Sequence, residues 1–165
     1  MFLVADKTCL VVHGGPNLGK TSSMAAFAEI IKHRALLFDG FYITDYRTSF
    51  LDYADDQLRK VARLVQDESL LQIAGCLQSH GENLTIFVDA INEIEGGAGE
   101  IERWFAEAIS GCQENGIKLV VSCRSDVWNA LDHSSGEVQE VRLLEFSDSE
   151  VMEALSSYEI GRAHV

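Results

Sequence analysis

The sequence predicts an α/β domain in which a parallel sheet of five strands carries helices on both faces. Short apolar and β-branched runs alternate along the chain with segments whose apolar residues recur at helical spacing. The strand-like runs are apolar almost throughout, which is typical of strands covered on both faces. With 165 residues, the chain has the length of one ordinary domain and can bury roughly 70% of its unfolded surface.

Five segments are predicted to be strands: 8–13, 35–43, 84–90, 118–123 and 140–144. Apolar residues at helical spacing predict three helices, carried by Met24, Phe27, Ala28 and Ile31, by Leu58, Val61, Ala62 and Val65, and by Ile101, Phe105, Ala108, Ile109 and Cys112. The third helix is expected to end at Gly116. Residues 91–100 are glycine-rich and acidic and predict a surface loop. Ser147 and Glu150 predict a capped helix start, with Phe146 packed on Val151.

The charge balance is acidic, with 26 Asp and Glu against 13 Lys and Arg and a net charge of −13. A field of this sign repels phosphate backbones and anionic lipids, so neither nucleic acid nor a membrane surface is expected as a partner. The four cysteines form no C-x-x-C pair and predict buried, reduced thiols. Because no run has the length of a membrane span and no signal peptide is evident, we expect a cytoplasmic protein.

Residues 14–21 fit the pattern G-x-x-x-x-G-K-[ST] between a predicted strand and a predicted helix. In this context the pattern predicts phosphate binding, because glycines let backbone N–H groups approach a phosphate and the helix presents its positive end. Pro16 stiffens the loop in advance. Lys20 would reach the β- and γ-phosphates, and the Thr21 hydroxyl would ligate Mg²⁺. The predicted nucleotide-binding residues are Gly14, Gly15, Pro16, Asn17, Leu18, Gly19, Lys20, Thr21 and Ser22.

Three further side chains follow the predicted third and fourth strands. Asp89 closes an apolar strand and is predicted to hold Mg²⁺ through water, together with Thr21. Glu93 is either a base that orients the attacking water or a solvated loop residue. Arg124 ends the fourth strand, where ligands of open α/β sheets bind, and could stabilise the γ-phosphate in transfer. The alternative for Arg124 is a surface pair with Asp126.

Four segments together resemble a known family: GGPNLGKTS, FVDAINEI, VVSCRSD and LLEFSDSEV, in this order. This combination is similar to the STAND-class P-loop ATPases, relatives of the AAA+ proteins, and in particular to their NACHT-like bacterial members. The resemblance covers residues 5–158. It implies a three-layer P-loop sandwich with strand order 5-1-4-3-2, which would place the fourth strand between the phosphate loop and Asp89 and aim Arg124 at the γ-phosphate. It also assigns Glu93 to the water side of the site.

The resemblance implies the ATP-binding and slowly hydrolysing core of a Mg²⁺-dependent signalling switch that self-associates in the full-length protein. Asn92 departs from the aspartate usual in that family, which bears on hydrolysis more than on binding. A non-hydrolysing scaffold that binds nucleotide is an alternative. A GTPase is another, since PNLGKT resembles a loop of translation-associated GTPases, but the N-K-x-D sequence that reads guanine is absent.

The sequence also predicts a boundary near its end. Residues 1–158 are expected to form the nucleotide-binding lobe of a longer protein, without the lid and winged-helix parts of the family. Residues 159–165, EIGRAHV, back-translate into a common sequencing adapter whose next in-frame triplet is a stop codon. We therefore expect them to be a non-native tail.

Overall fold

The computed structural model of the chain describes residues 7–31, 34–43, 48–62, 69–94, 97–131, 137–145 and 147–150. Five parallel strands form one sheet: β1 (Cys9–Gly14), β2 (Ala35–Asp39), β3 (Thr85–Asp89), β4 (Lys118–Arg124) and β5 (Val138–Leu143). Their order across the sheet is β2-β3-β4-β1-β5, and each neighbouring pair is parallel. The predicted order is confirmed, and β4 lies between β1 and β3.

Five α-helices are described: α1 (Lys20–Ile30), α2 (Phe50–Ala62), α3 (Leu70–Ser79), α4 (Ala98–Glu114) and α5 (Ser125–Trp128). Two 3₁₀ turns follow the ends of β2 and β3, at Gly40–Tyr42 and Ile91–Glu93. Within the described ranges, no helix combines the length and the apolar character that crossing a bilayer requires.

Side chains of each central strand alternate between two cores, one on each face of the sheet. Leu10 and Val12 of β1 pack in the core that contains Met24 of α1. Cys9 and Val11 face the larger core on the opposite side, to which α2, α3, α4 and α5 contribute. The prediction of a sheet with helices on both faces is therefore confirmed.

The cysteines behave largely as small apolar side chains. Cys9, Cys112 and Cys123 are buried and unpaired with one another, as predicted, while Cys76 of α3 is unpaired and exposed. Burial raises the pKa of the Cys112 thiol to about 12 and, with smaller opposing effects, that of Cys123 to about 11. Both thiols are therefore protonated at neutral pH and poorly nucleophilic.

The second strand is shorter than the sequence predicts. It ends at Asp39, whose carboxylate accepts a hydrogen bond from the Phe41 N–H at 3.0 Å and starts the 3₁₀ turn. A Cβ at position 40 would lie 2.5 Å from the Ala90 carbonyl oxygen, so only glycine permits this close approach of the chain after β2 to the chain after β3. This tertiary contact is not visible in the local sequence pattern.

Two further predictions are corrected in the helical part of the molecule. Helix α3 has no counterpart among the predicted elements, although Ser69 and Gln72 form its capping box. The surface loop predicted over residues 91–100 is wrong in part, because Ile91 and Ile94 are buried and α4 begins at Ala98.

The helix ends near Gly116 and Ser147 agree with their sequence signals. Gly116 follows the end of α4 with a φ of 60°, as expected for a residue that terminates a helix. The Ser147 N–H donates to the Glu150 carboxylate at 2.8 Å, which confirms this part of the predicted cap. Predictions for Val65, Phe146, Val151 and residues 159–165 lie outside the described residues.

Candidate functional site

The carboxyl ends of the parallel strands meet at one edge of the sheet, and the glycine loop leaves β1 at this edge. Gly14, the last residue of β1, is paired with Arg124 at the end of β4 and with Leu143 at the end of β5. Residues 15–19 form the loop, and α1 begins immediately afterwards at Lys20. This strand–loop–helix order is the context that the sequence pattern requires for phosphate binding.

Two residues of the loop have left-handed backbone conformations. Asn17 has a φ of 61° and Gly19 a φ of 77°. Asparagine tolerates this region better than most side chains do, and glycine adopts it without steric cost. Gly19 precedes α1 without a side chain that caps the helix, and the first turn of α1 contains no acidic residue. The first N–H groups of α1 are therefore available to an external anion.

Lys20 folds back over the loop. Its ammonium donates to the carbonyl oxygens of Gly15 at 2.6 Å and Gly14 at 3.2 Å. The positive charge is thus held at the loop and not extended into solvent. Thr21 and Ser22 follow in the first turn of α1, and both are exposed. The structure therefore places all of the predicted loop residues at one strand-to-helix junction.

Asp89 ends β3 at the same edge and is half-buried. One oxygen of its carboxylate, Oδ1, accepts a hydrogen bond from the Ser122 hydroxyl on β4. The same hydroxyl accepts a bond from the Ala90 N–H at 2.8 Å. Ser122 is not among the site residues that the sequence predicts. The signal that could have found it is a single polar residue within the apolar run KLVVSC.

The turn after Asp89 contains two polar residues, Asn92 and Glu93, which differ in their exposure and in their contacts. The Glu93 side chain is exposed, and its N–H donates to the Ala90 carbonyl at 2.8 Å. The half-buried Asn92 accepts a hydrogen bond from the Arg124 N–H through Oδ1 at 3.1 Å. The Asn92 side chain therefore links the turn after β3 to the end of β4. This contact requires only an acceptor oxygen. It gives Asn92 a structural role between the two strands.

Arg124 lies at the site edge and forms an ion pair with Asp126. Nε donates to Oδ1 at 3.1 Å and Nη2 to Oδ2 at 3.0 Å. Desolvation raises the pKa of the Asp126 carboxyl, but the hydrogen bond and the charge of Arg124 together outweigh it and hold that pKa below its usual value. The Arg124 side chain is 51% exposed, so its pair is screened by solvent and weak enough to exchange for another anion.

A polar cluster adjoins the loop, in which His13 and Trp128 are buried, Ser125 is half-buried and Glu140 is exposed. His13 Nδ1 lies 3.1 Å from the Ser125 Oγ, and its Nε2 lies 3.8 Å from a carboxylate oxygen of Glu140. The same oxygen accepts a hydrogen bond from the Trp128 indole N–H at 2.8 Å. The cluster joins β1, α5 and β5 at His13, the residue before Gly14. It thereby fixes the end of the strand from which the loop departs.

A cleft of about 400 Å³ opens beside the loop, between it and the chain that follows β5. Its lining residues are Gly15, Leu18, Ser125, Arg142, Leu143, Leu144 and Glu145. Its volume lies in the range of small-molecule pockets, about 300–1,000 Å³. The cleft mixes leucine side chains with charged groups, and it lies next to the loop that the sequence pattern assigns to phosphate.

The described residues contain no group of three or more His, Cys, Asp or Glu side chains that could hold a metal ion by themselves. Mg²⁺ does not need such a cage, because it keeps several waters and binds through one or two protein oxygens together with phosphates. The Thr21 hydroxyl and the Asp89 carboxylate are oxygen donors of this kind. The donor set of this edge therefore fits Mg²⁺ bound together with a phosphorylated ligand.

No protein-family model and no curated protein matches this chain by sequence. Solved structures do match it. The crystal structure of Cdc6p from Pyrobaculum aerophilum superposes with a TM-score of 0.56 at 16% identity, over 93% of this chain and 44% of that one. The FIGL-1 AAA domain in complex with ADP gives a TM-score of 0.50 at 18% identity, over 95% of this chain and 50% of that one.

The parallel sheet, its strand order and the loop after β1 define the fold of the P-loop NTPases. The two matched structures, one of them an AAA domain, share this α/β fold with the chain. The chain spans half or less of the length of each of these structures. At this level of identity the likeness establishes the fold.

Proposed function

We propose that this domain binds ATP with Mg²⁺ and hydrolyses it slowly. The observation that carries the proposal is the glycine loop after β1, with Lys20 held across its carbonyls at the sheet edge where Asp89 and Arg124 also lie. One structure of the same fold, the FIGL-1 AAA domain, is in complex with ADP. This agrees with an adenine nucleotide as the ligand.

In such a site, different residues of this edge would bind the phosphates and the Mg²⁺ ion. The loop amides and the start of α1 would surround the phosphates, and Lys20 would exchange the carbonyls of Gly14 and Gly15 for phosphate oxygens. Thr21 and Asp89 would hold Mg²⁺, which neutralises charge on the phosphates when bound.

Two exposed side chains would act on the reacting group. Glu93 would orient the attacking water as a general base. Arg124 would exchange Asp126 for the γ-phosphate and stabilise the charge that develops during transfer. Both side chains are exposed, so neither must leave a packed core to do so.

We further propose that the complete protein is a NACHT-like switch of the STAND class, in which nucleotide state governs self-association. This finer assignment rests on the four sequence segments that resemble that family. The contact between Asn92 and the Arg124 N–H gives the unusual asparagine a structural role compatible with the proposal.

Binding and turnover measured with ATP and GTP on the same protein test the proposed function. We expect ATP to bind more tightly than GTP, in a Mg²⁺-dependent manner, and to be hydrolysed slowly. A preference for GTP would favour the GTPase alternative. Tight ATP binding without any turnover would favour the scaffold alternative. If neither nucleotide binds, the proposed function is wrong.

The substitution Glu93→Gln tests the catalytic part of the proposal. Because this change removes a base and no phosphate contact, ATP affinity should be unchanged while turnover falls by about 10²-fold or more. Glu107→Gln, at an exposed position on α4, is the matched control and should leave both quantities unchanged. Unchanged turnover in Glu93→Gln would remove Glu93 from the mechanism.

A further inference from the structure

Ser122 is a buried polar residue in the centre of the sheet. It is 1% exposed and lies on β4 between apolar neighbours. A buried hydroxyl is costly unless it is hydrogen-bonded, and Ser122 meets this requirement on both sides. Its proton goes to Oδ1 of Asp89, and its oxygen receives the N–H of Ala90 at 2.8 Å. One hydroxyl therefore contacts two consecutive residues of the neighbouring chain segment.

The backbone at this point is unusual. Ala90 has φ 56° and ψ 54°, in the left-handed region that alanine rarely adopts. Two contacts besides Ser122 stabilise this conformation. The Glu93 N–H donates to the Ala90 carbonyl, and the missing side chain at Gly40 leaves room for that carbonyl. The direction in which the chain leaves Asp89 is thus determined by the surrounding structure.

We propose that Ser122 is a positioning residue for Asp89, and this inference rests on the proposed function. Because Ser122 occupies Oδ1 and fixes the turn at Ala90, the Asp89 carboxylate is held in one orientation, and Oδ2 is the oxygen that would accept a hydrogen bond from a water of bound Mg²⁺. Ser122 itself contacts neither metal nor nucleotide. When a group that is hydrogen-bonded to a metal-binding side chain is removed, metal affinity or activity typically falls by about 10- to 100-fold.

The test is a Mg²⁺ titration of ATP binding by Ser122→Ala, with ATP binding in EDTA measured alongside. We expect the Mg²⁺ concentration at half-maximal binding to rise by about 10-fold. ATP affinity in EDTA should stay within about two-fold, because loop and Lys20 contacts do not involve Ser122. Ser122→Thr, which keeps the hydroxyl, should restore most of the Mg²⁺ response.

Thr85→Val is the matched control. Thr85 is a buried hydroxyl on β3, at the opposite end of that strand from Asp89, and its Oγ1 has no hydrogen-bond partner among the described residues. Removing it should leave both titrations unchanged. Hydrogen exchange of the Ala90 amide, measured without nucleotide, gives a second readout. This exchange should accelerate in Ser122→Ala and not in Thr85→Val, since the Ala90 N–H loses its hydrogen-bond acceptor only in Ser122→Ala.

The outcomes separate this inference from the proposed function. If the wild type binds ATP with a clear Mg²⁺ dependence and Ser122→Ala shows the same half-maximal concentration, the positioning role is wrong and the proposed function stands. If Ser122→Ala weakens binding equally in EDTA, Ser122 supports the fold in general and the positioning role is again wrong. If the wild type binds no ATP, the proposed function fails and this inference fails with it.

Discussion

Substitution of Lys20 tests the phosphate-binding role of the loop most directly, because the Lys20 ammonium contacts the loop carbonyls themselves. In Lys20→Ala the loop carbonyls lose the ammonium that contacts them, and a triphosphate loses the cation that would contact two of its phosphates. A charge-assisted hydrogen bond contributes about 1.5–3 kcal/mol, which corresponds to a factor of about 10 to 150 in Kd. With two phosphates involved, we expect ATP binding to weaken by about 100-fold or more.

The same substitution should leave the protein folded. The side chain lies over the loop and is only half-buried, so no core contact is removed. The carbonyls of Gly14 and Gly15 lose a donor, and water can replace it at this edge. We expect a loss of about 1 kcal/mol in the free energy of unfolding, seen as a fall in Tm of about 2–4 °C for a chain of this size.

Calorimetric titration with ATP and thermal denaturation measure the two effects. Lys118→Ala is the matched control, because the Lys118 ammonium donates to the Lys7 carbonyl at 2.7 Å at the opposite edge of the sheet. It makes the same change of charge and should not alter ATP affinity. A folded Lys20→Ala protein that binds ATP as tightly as the wild type would refute the assignment of the loop to phosphate.

The carboxylates of Asp126 and Asp55 give two further predictions, one on ATP affinity and one on the pH dependence of stability. Asp126→Asn should release the Arg124 guanidinium and raise ATP affinity by about two- to five-fold with little effect on ADP; a gain that persists in the Arg124→Ala background would contradict this. Burial raises the pKa of Asp55, but bonds from Arg59 at 2.7 Å and from the Leu70 N–H at 2.6 Å lower it overall. Its stabilisation is therefore present above the unfolded value of 3.8 and lost as pH falls through the lower folded value. Denaturation between about pH 5 and 2 should show a shallower loss of stability in Asp55→Asn than in the wild type.

The sequence determined the architecture because its signals are local and periodic. Apolar runs such as KLVVSC are typical of strands covered on both faces, and the pattern at residues 14–21 predicts a phosphate-type loop between a strand and a helix. The strand order followed from the family that the four segments resemble, and the sheet has that order. Helix α3 is not among the predicted elements, although Ser69 with Gln72 caps its start.

The contacts that hold the side chains of the site edge come from the folding together of distant segments. Ser122 is 33 residues from Asp89, and Gly40 reaches Ala90 from a different strand, so neither contact leaves a periodic trace in the sequence. The sequence likewise left Arg124 with two possible partners, and the fold pairs it with Asp126. Parallel strands bring distant segments to one edge, and the side-chain contacts made there depend on packing that local propensity does not encode.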